Sequence, residues 1–266
     1  MEIASVATVF FSPTGSTQRL LSAIAEGMGA DHIQAIDLTP FAMERDEPLH
    51  LDTDVCVIGV PVYGGRVPAP AVRRLARLRA AGLPAVLVVT YGNRAFEDAL
   101  VELEDLVAEL DMPVVAAAAF IGEHSYSTKA TPVAEGRPGI DDFVAARDFG
   151  ALISDALRSV DNAAELDPVA IPGNRPYKDI TVLDPICPEL DTTLCSLCGD
   201  CVVMCPTGAI TIGESVETNA EKCIACCACV KKCPTQARKM TAPRVEKVRA
   251  WLVKNFSEPK KPQIFF

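Results

Sequence analysis

Nine of the chain's eleven cysteines fall between Cys195 and Cys233. Eight of them form two copies of one pattern. The first copy is Cys195, Cys198, Cys201 and Cys205, followed by Pro206. The second is Cys223, Cys226, Cys229 and Cys233, followed by Pro234. Both read C-x2-C-x2-C-x3-C-P. A cubane [4Fe-4S] cluster needs one thiolate at each of four iron corners, and three cysteines on a tight loop can reach three of them. A fourth, three residues further on and starting a helix, points away towards a neighbouring site. Zinc is the alternative for clustered cysteines, but zinc sites use pairs of C-x2-C rather than a third cysteine at the same step. A disulfide scaffold would not carry a long body with a single cysteine, Cys56, ahead of the cluster.

This run is the one found in two-cluster bacterial ferredoxins, and residues 187–241 resemble that domain. The resemblance implies two [4Fe-4S] clusters. Cluster A would use Cys195, Cys198, Cys201 and Cys233, and cluster B would use Cys223, Cys226, Cys229 and Cys205. Cys227 falls outside the register and reads as a spare or small buried side chain. Cys56 and Cys187 read as core residues. The module has few apolar residues (Val202, Val203, Ile210, Ile212, Val230 and Ala237) to cover two inorganic cores, so its folding is expected to depend on them.

A second set of chemistry-bearing residues lies near the N-terminus. Ser12-Pro13-Thr14-Gly15-Ser16-Thr17 follows an apolar run and opens a helical pattern. Hydroxyls and free N–H groups at a helix start suit a phosphate dianion, although an ordinary capped helix start would look similar. The loop contains no cation and matches neither GxGxxG nor GxxxxGK[ST]. Two later loops, Val62-Tyr63-Gly64-Gly65-Arg66 and Thr90-Tyr91-Gly92-Asn93-Arg94, each offer an aromatic ring and glycines where backbone can approach a planar ligand. His124, in Gly122-Glu123-His124-Ser125-Tyr126-Ser127, is a weak candidate for a proton donor or lid residue; an ordinary hydrogen-bonded loop histidine is the plainer reading.

These loops need a scaffold that gathers strand ends. Apolar runs at 3–11, 32–38, 54–62, 85–91 and 113–121 read as strands. Helical spacing at 16–28, 70–81, 95–110 and 140–159 reads as crossover helices. Five strands joined this way imply an α/β fold with a five-stranded parallel sheet in the flavodoxin-like order 2-1-3-4-5, with ligands bound beyond the carboxyl ends of the strands. A small α+β two-cluster domain follows. The expected boundaries are 1–160 for the sheet domain, 161–186 for a Pro/Gly/Asn-rich linker, 187–241 for the cysteine module, and 242–266 for a basic helix (243–256) with a loosely held tail.

Residues 1–160 resemble a flavodoxin, and the whole chain resembles the ferredoxin–flavodoxin fusion proteins of anaerobic bacteria and archaea. The resemblance implies FMN. Ser12, Thr14, Gly15, Ser16 and Thr17 would hold its phosphate. Tyr63 and Gly64 would lie along the isoalloxazine, with Gly65 and Tyr91 in the same two loops. Gly92 and Asn93 would contact its pyrimidine edge. Arg66 and Arg94 depart from the acidic residues of small flavodoxins; they would raise the flavin potential or shape an anionic substrate site. Three functions follow: electron transfer between one-electron carriers and FMN through the clusters, an FMN-dependent reductase of a small substrate fed by them, or an iron–sulfur adaptor that has lost FMN.

Net charge of −10 argues against nucleic-acid binding. Residues 238–266 carry eight basic and two acidic side chains, which reads as a solvated amphipathic helix or a docking element for an acidic partner. No signal peptide or membrane-length apolar run is visible. The expected setting is cytoplasmic, and the expected partners are redox proteins (a ferredoxin-like donor or an acceptor oxidoreductase) and a small-molecule acceptor.

Overall fold

The structure, a computed structural model, describes residues 1–179 and 184–266; residues 180–183 of the expected linker lie outside the described residues. Strands β1 (Ser5–Phe10), β2 (His32–Asp37), β3 (Val55–Pro61), β4 (Ala85–Tyr91) and β5 (Val114–Ile121) are parallel neighbours in the order β2-β1-β3-β4-β5. Helices α1 (Ser16–Met28) and α4 (Ile140–Arg158) cover one face, and α2 (Ala69–Leu75) and α3 (Ala99–Ala108) the other. The strand alternation divides the core accordingly. Leu87, Val89 and Tyr91 face α2 and α3, whereas Val86 and Val88 face α1 and α4.

The sheet is six-stranded, which corrects the five-stranded expectation. The C-terminal segment Gln263–Phe265 is β6 and pairs antiparallel with β5, Ile264 opposite Ala118. The tail is therefore fixed. β5 otherwise presents an open edge of backbone donors and acceptors, and Phe265 packs edge-on against Phe96 at 6.5 Å. Two helices are also shorter than expected. α2 stops at Leu75 because the next residues leave the helix and Leu78–Arg79 pairs parallel with Leu49–His50. α3 starts only at Ala99, after Glu97 takes a left-handed φ of 45°. The buried Asp98 carboxylate there accepts from Asn174 N, Asn174 Nδ2 and Lys178 N at 2.7–2.9 Å, holding the linker against α3.

The cysteine module consists of two short antiparallel pairs, Ile210–Ile212 with Val216–Thr218 and Glu189–Leu190 with Arg238–Lys239. Two one-turn helices, Asp200–Val203 and Ala228–Lys231, complete it. Its apolar cluster is largely Cys205, Cys229, Ala209, Ile210 and Val216. Helix α5 (Pro243–Asn255) runs back from the module over the sheet domain.

Arg74 of α2 welds the two parts. Its side chain is 1% exposed, and it donates to Leu38 O (2.7 Å), Thr39 O (3.0 Å) and, across the boundary, Pro206 O (2.6 Å). Glu44 balances the charge at 2.9 Å. Removing a buried charge partner typically costs ~3 kcal/mol or more. Arg74→Met should therefore lower stability by about 3 kcal/mol and speed proteolytic separation of the module, while the sheet keeps its far-UV spectrum. Denaturant unfolding and limited proteolysis measure this, and wild-type values in both would remove Arg74 from its anchoring role.

Candidate functional site

A cavity of about 340 Å³ lies at the carboxyl end of the sheet. Ser12, Pro13, Thr14, Ser16 and Thr17 line one end; Tyr63, Gly64, Gly65, Tyr91 and Gly92 line the middle; Gly122–Tyr126 close one side. The strand order explains the place: β1 and β3 adjoin while their crossover helices leave on opposite faces, opening a crevice between the loops. Ser12 Oγ accepts from Gln18 N at 3.1 Å. That leaves the N–H groups of Ser16 and Thr17, which have no intrahelical partner, for a ligand. The Thr90 hydroxyl also lines the cavity and is buried with no hydrogen-bond partner. These donors at a helix start fit the phosphate end of a mononucleotide.

The remaining walls come from outside the sheet domain. Ile224 and Ala225, between Cys223 and Cys226, form part of the lining. So do Arg244, Val245, Val248, Trp251 and Leu252 of α5.

Two smaller cavities lie within the module. One is lined by Cys195, Cys198, Cys201 and Cys233, the other by Cys205, Cys223, Cys226 and Cys229, with the extra Cys227 also in its lining. Each ring takes three thiols from one copy of the pattern and the fourth from the other copy. The thiols surround a space rather than a point: among the described residues no three His, Cys, Asp or Glu side chains converge tightly enough for a single metal ion. Residues 194–237 match the family model of the 4Fe-4S dicluster domain.

No curated protein matches the chain. Solved structures similar to the sheet domain include a flavodoxin from the domain Archaea, 15% identical over 58% of this chain and 99% of that chain, with a TM-score of 0.42. Oxidised flavodoxin 2 from Bacillus cereus is 16% identical over 57% of this chain and 99% of that chain, at 0.43. Rubredoxin oxygen:oxidoreductase from the anaerobe Desulfovibrio gigas is 12% identical over 59% of this chain and 36% of that chain, at 0.43. The flavodoxin-like architecture rests on the sheet order described above, and the iron–sulfur character on the dicluster domain.

Within the dicluster domain the two copies share further detail. Each Cys-Pro is followed by a threonine, and Thr207 and Thr235 place a hydroxyl 3.7 Å from the sulfurs of Cys205 and Cys233. Backbone N–H groups of Ala209 and Ala225 donate to Cys205 and Cys223 at 3.3 and 3.4 Å. Burial pushes the thiols of Cys223, Cys226 and Cys229 upward, so as free groups they would stay protonated. A metal bound by them would have to displace those protons. Cys227 is buried with Met240 and Val245 in a separate apolar patch, and Cys187 lies beside Thr218 O at 3.9 Å.

The structure redirects several residues expected at the flavin. Asn93 is 1% exposed, and its amide donates to Phe256 O and Glu258 O at 2.7 and 2.9 Å and accepts from Lys260 N at 3.2 Å. It fastens the tail. The Tyr91 ring is committed to the core, edge-on to Phe96 at 5.6 Å, as the alternation of Leu87, Val89 and Tyr91 dictates. Gly64 and Gly65 (φ 64° and 87°) form the two central positions of a tight reversal closed by Tyr63 N to Arg66 O at 3.0 Å, a turn that requires positive φ at both. Arg66 is held by Glu102 at 2.7 Å and lies over the Tyr177 ring; Arg94 is paired with Glu97 at 2.6 Å. Neither arginine is a free cation for a flavin or an anionic substrate.

Sequence reasoning missed Thr90, the Ile224–Ala225 wall and the α5 roof. One signal was present: Val245, Val248 and Leu252 share a face at i, i+3, i+7 spacing on a helix judged mainly by its charge. Nothing local to Ile224 or Ala225 tells where the module docks.

His124 packs against Gly92 so closely that a Cβ there would meet its ring at 2.4 Å. Its Nδ1 accepts from Tyr126 N at 3.0 Å, which leaves the proton on Nε2. Burial, aided by Lys231, Arg94 and Arg249, pushes its pKa down to about 4 from 6.5. The native state thus binds fewer protons than the unfolded chain between those values, and stability falls as pH drops from about 6.5 towards 4. Between pH 7 and pH 5 the wild type should lose about 2 kcal/mol more than His124→Gln. Denaturant titrations at both pH values measure the difference; parallel losses would show that His124 titrates normally.

Proposed function

We propose that the chain is an electron-transfer protein holding two [4Fe-4S] clusters and FMN, and that electrons pass between partner carriers and FMN through the clusters. The carrying observation is the position of the Cys223–Cys226 loop. Ile224 and Ala225 are at once wall of the mononucleotide cavity and part of the turn that presents cluster B ligands. Tyr63 spans the same boundary: burial raises its phenol well above the ordinary range, and the thiols of Cys226 and Cys227 and Tyr126 lie close to it. Cluster A, with Cys198 exposed, is the outer station for a redox partner.

Clusters carry electrons singly, and FMN takes one or two, so the pairing converts one kind of exchange into the other. Ser12, Thr14, Ser16, Thr17 and Thr90 would hold the phosphate and neighbouring hydroxyls. Tyr63, Gly64 and Gly92 would flank the ring system, and His124 Nε2–H would donate a hydrogen bond. Because His124 is neutral, it supplies a donor and not a mobile proton. α5 lays Val245, Val248, Trp251 and Leu252 across the cavity as a partial cover. This cover, and the neutralised arginines, favour the carrier over a small-substrate reductase; the built phosphate end favours it over an adaptor without FMN.

The sheet domain (1–160), linker (161–186), dicluster module (187–241) and α5 with its tail (242–266) then act as one unit. A cytoplasmic setting poor in oxygen, with a ferredoxin-like donor or an acceptor oxidoreductase as partner, suits exposed clusters. Among the described residues no helix is long and apolar enough to cross a membrane.

Anaerobic purification followed by iron, sulfide and flavin analysis should give about eight irons and about one FMN per chain. Thr17→Ala should weaken FMN binding about tenfold, by loss of about 1.4 kcal/mol, with iron content unchanged. Full iron with no FMN uptake would leave the adaptor reading standing. Zinc in place of iron would end the proposal altogether.

A further inference from the structure

Arg238 is a buried cation without a counterion. Its side chain is 3% exposed, and its Nε–H has no hydrogen-bond partner. Nη2 donates to Thr218 Oγ1 at 2.6 Å. Among the described residues no carboxylate forms an ion pair with it, and the adjacent Lys239 takes Asp191 instead, at 3.0 Å. The alternation of the Arg238–Lys239 strand, paired with Glu189–Leu190, sends one cation inward and the other out. A guanidinium cannot shed its proton to escape the cost of burial, so the fold must offer it negative charge.

The side chain stands between the two thiol rings. It lines the cavity of Cys195, Cys198, Cys201 and Cys233. It also reaches the other ring: Thr218, which accepts its Nη2 hydrogen bond, lines the cavity of Cys205, Cys223, Cys226 and Cys229. The guanidinium thus bridges the linings of both rings, with its Nε–H unsatisfied between them.

We propose that Arg238 is a tuning residue shared by both iron–sulfur centres, its fixed charge and free Nε–H compensating the negative charge of the two thiolate-ligated clusters. This rests on the two-cluster reading above. A cubane with four thiolates is net negative, and reduction by one electron from an external donor makes it more so. A fixed cation in a low-dielectric site lowers the energy of the more negative state by more. Arg238 therefore makes both centres easier to reduce.

The test is an anaerobic redox titration of the full chain, with dithionite as reductant and electron paramagnetic resonance as readout, on wild type, Arg238→Met, Arg238→Gln and Arg238→Lys. Iron and sulfide are measured first. Wild type lacking iron–sulfur clusters would defeat the underlying reading; the variants address only Arg238. In fully loaded Met or Gln variants, the reduced-to-oxidised ratio of both centres at a fixed potential should fall at least tenfold, a downward shift of about 59 mV for a one-electron couple. Arg238→Lys should recover most of it. If neither neutral variant loads but the Lys variant does, the need for positive charge at this position stands. Fully loaded neutral variants with unchanged midpoints, a shift confined to one centre, or a Lys variant no better than Met would overturn the proposal.

Discussion

The structure depends on thiols placed where a bare thiolate is expensive. Cys226, Cys227 and Cys229 are all buried, and burial raises each of them. A segment of this kind has no stable charged form of its own, and its few apolar neighbours do not amount to a core. Metal coordination at Cys226 and Cys229 would offset that cost and make the loop's shape depend on what it holds. That shape sets Ile224 and Ala225 against the mononucleotide cavity and buries Cys227 with Met240 and Val245. Val245 belongs to α5, the cavity's roof. The cavity therefore takes part of its wall from the cysteine module and its cover from α5, the helix that follows it.

The C-terminus completes that arrangement with contacts within the chain. Asn93 at the end of β4 gathers the backbone of residues 256, 258 and 260, and Arg137 donates to Lys260 O at 3.3 Å. β6 then closes the open edge of β5. Several of the tail's cations are engaged in the same fastening: Arg249 donates to Tyr126 O and Met240 O at 2.7 and 2.8 Å, and the Lys260 ammonium reaches Arg94 O. A run of positive charge that reads as a docking arm is thus partly a set of carbonyl-capping side chains, whose apolar stems also cover surface.

The sequence was legible where spacing itself carries the chemistry. Two identical cysteine registers identify the thiol rings because tight loops can reach only so many cluster corners, and the alternating strand and helix patterns give the sheet because crossover connections leave few topologies. Ser12 to Thr17 was legible because a helix start presents free donors whatever surrounds it. Asn93 and Arg66 were misread for one reason: each sits in the right loop, but its direction is decided by partners distant in sequence, residues 256 onward for Asn93 and Glu102 and Tyr177 for Arg66. Arg94 is taken by a near neighbour, Glu97, and Tyr91 keeps its place in the cavity lining while its ring packs on Phe96. The α5 roof and β6 are docking outcomes, and docking is not encoded within one segment's periodicity.

The distribution of buried charge separates the two halves in a way that bears on electron flow. At the sheet-end cavity Arg94 has Glu97, Arg66 has Glu102 and His124 is held neutral, while Arg244 in the lining donates only to the Asp184 carbonyl. In the cysteine module Arg238 is buried without a carboxylate and bridges the linings of both thiol rings. An uncompensated guanidinium would make an anionic centre in that module easier to reduce, so the unmatched buried charge of the chain is weighted towards its cysteine end.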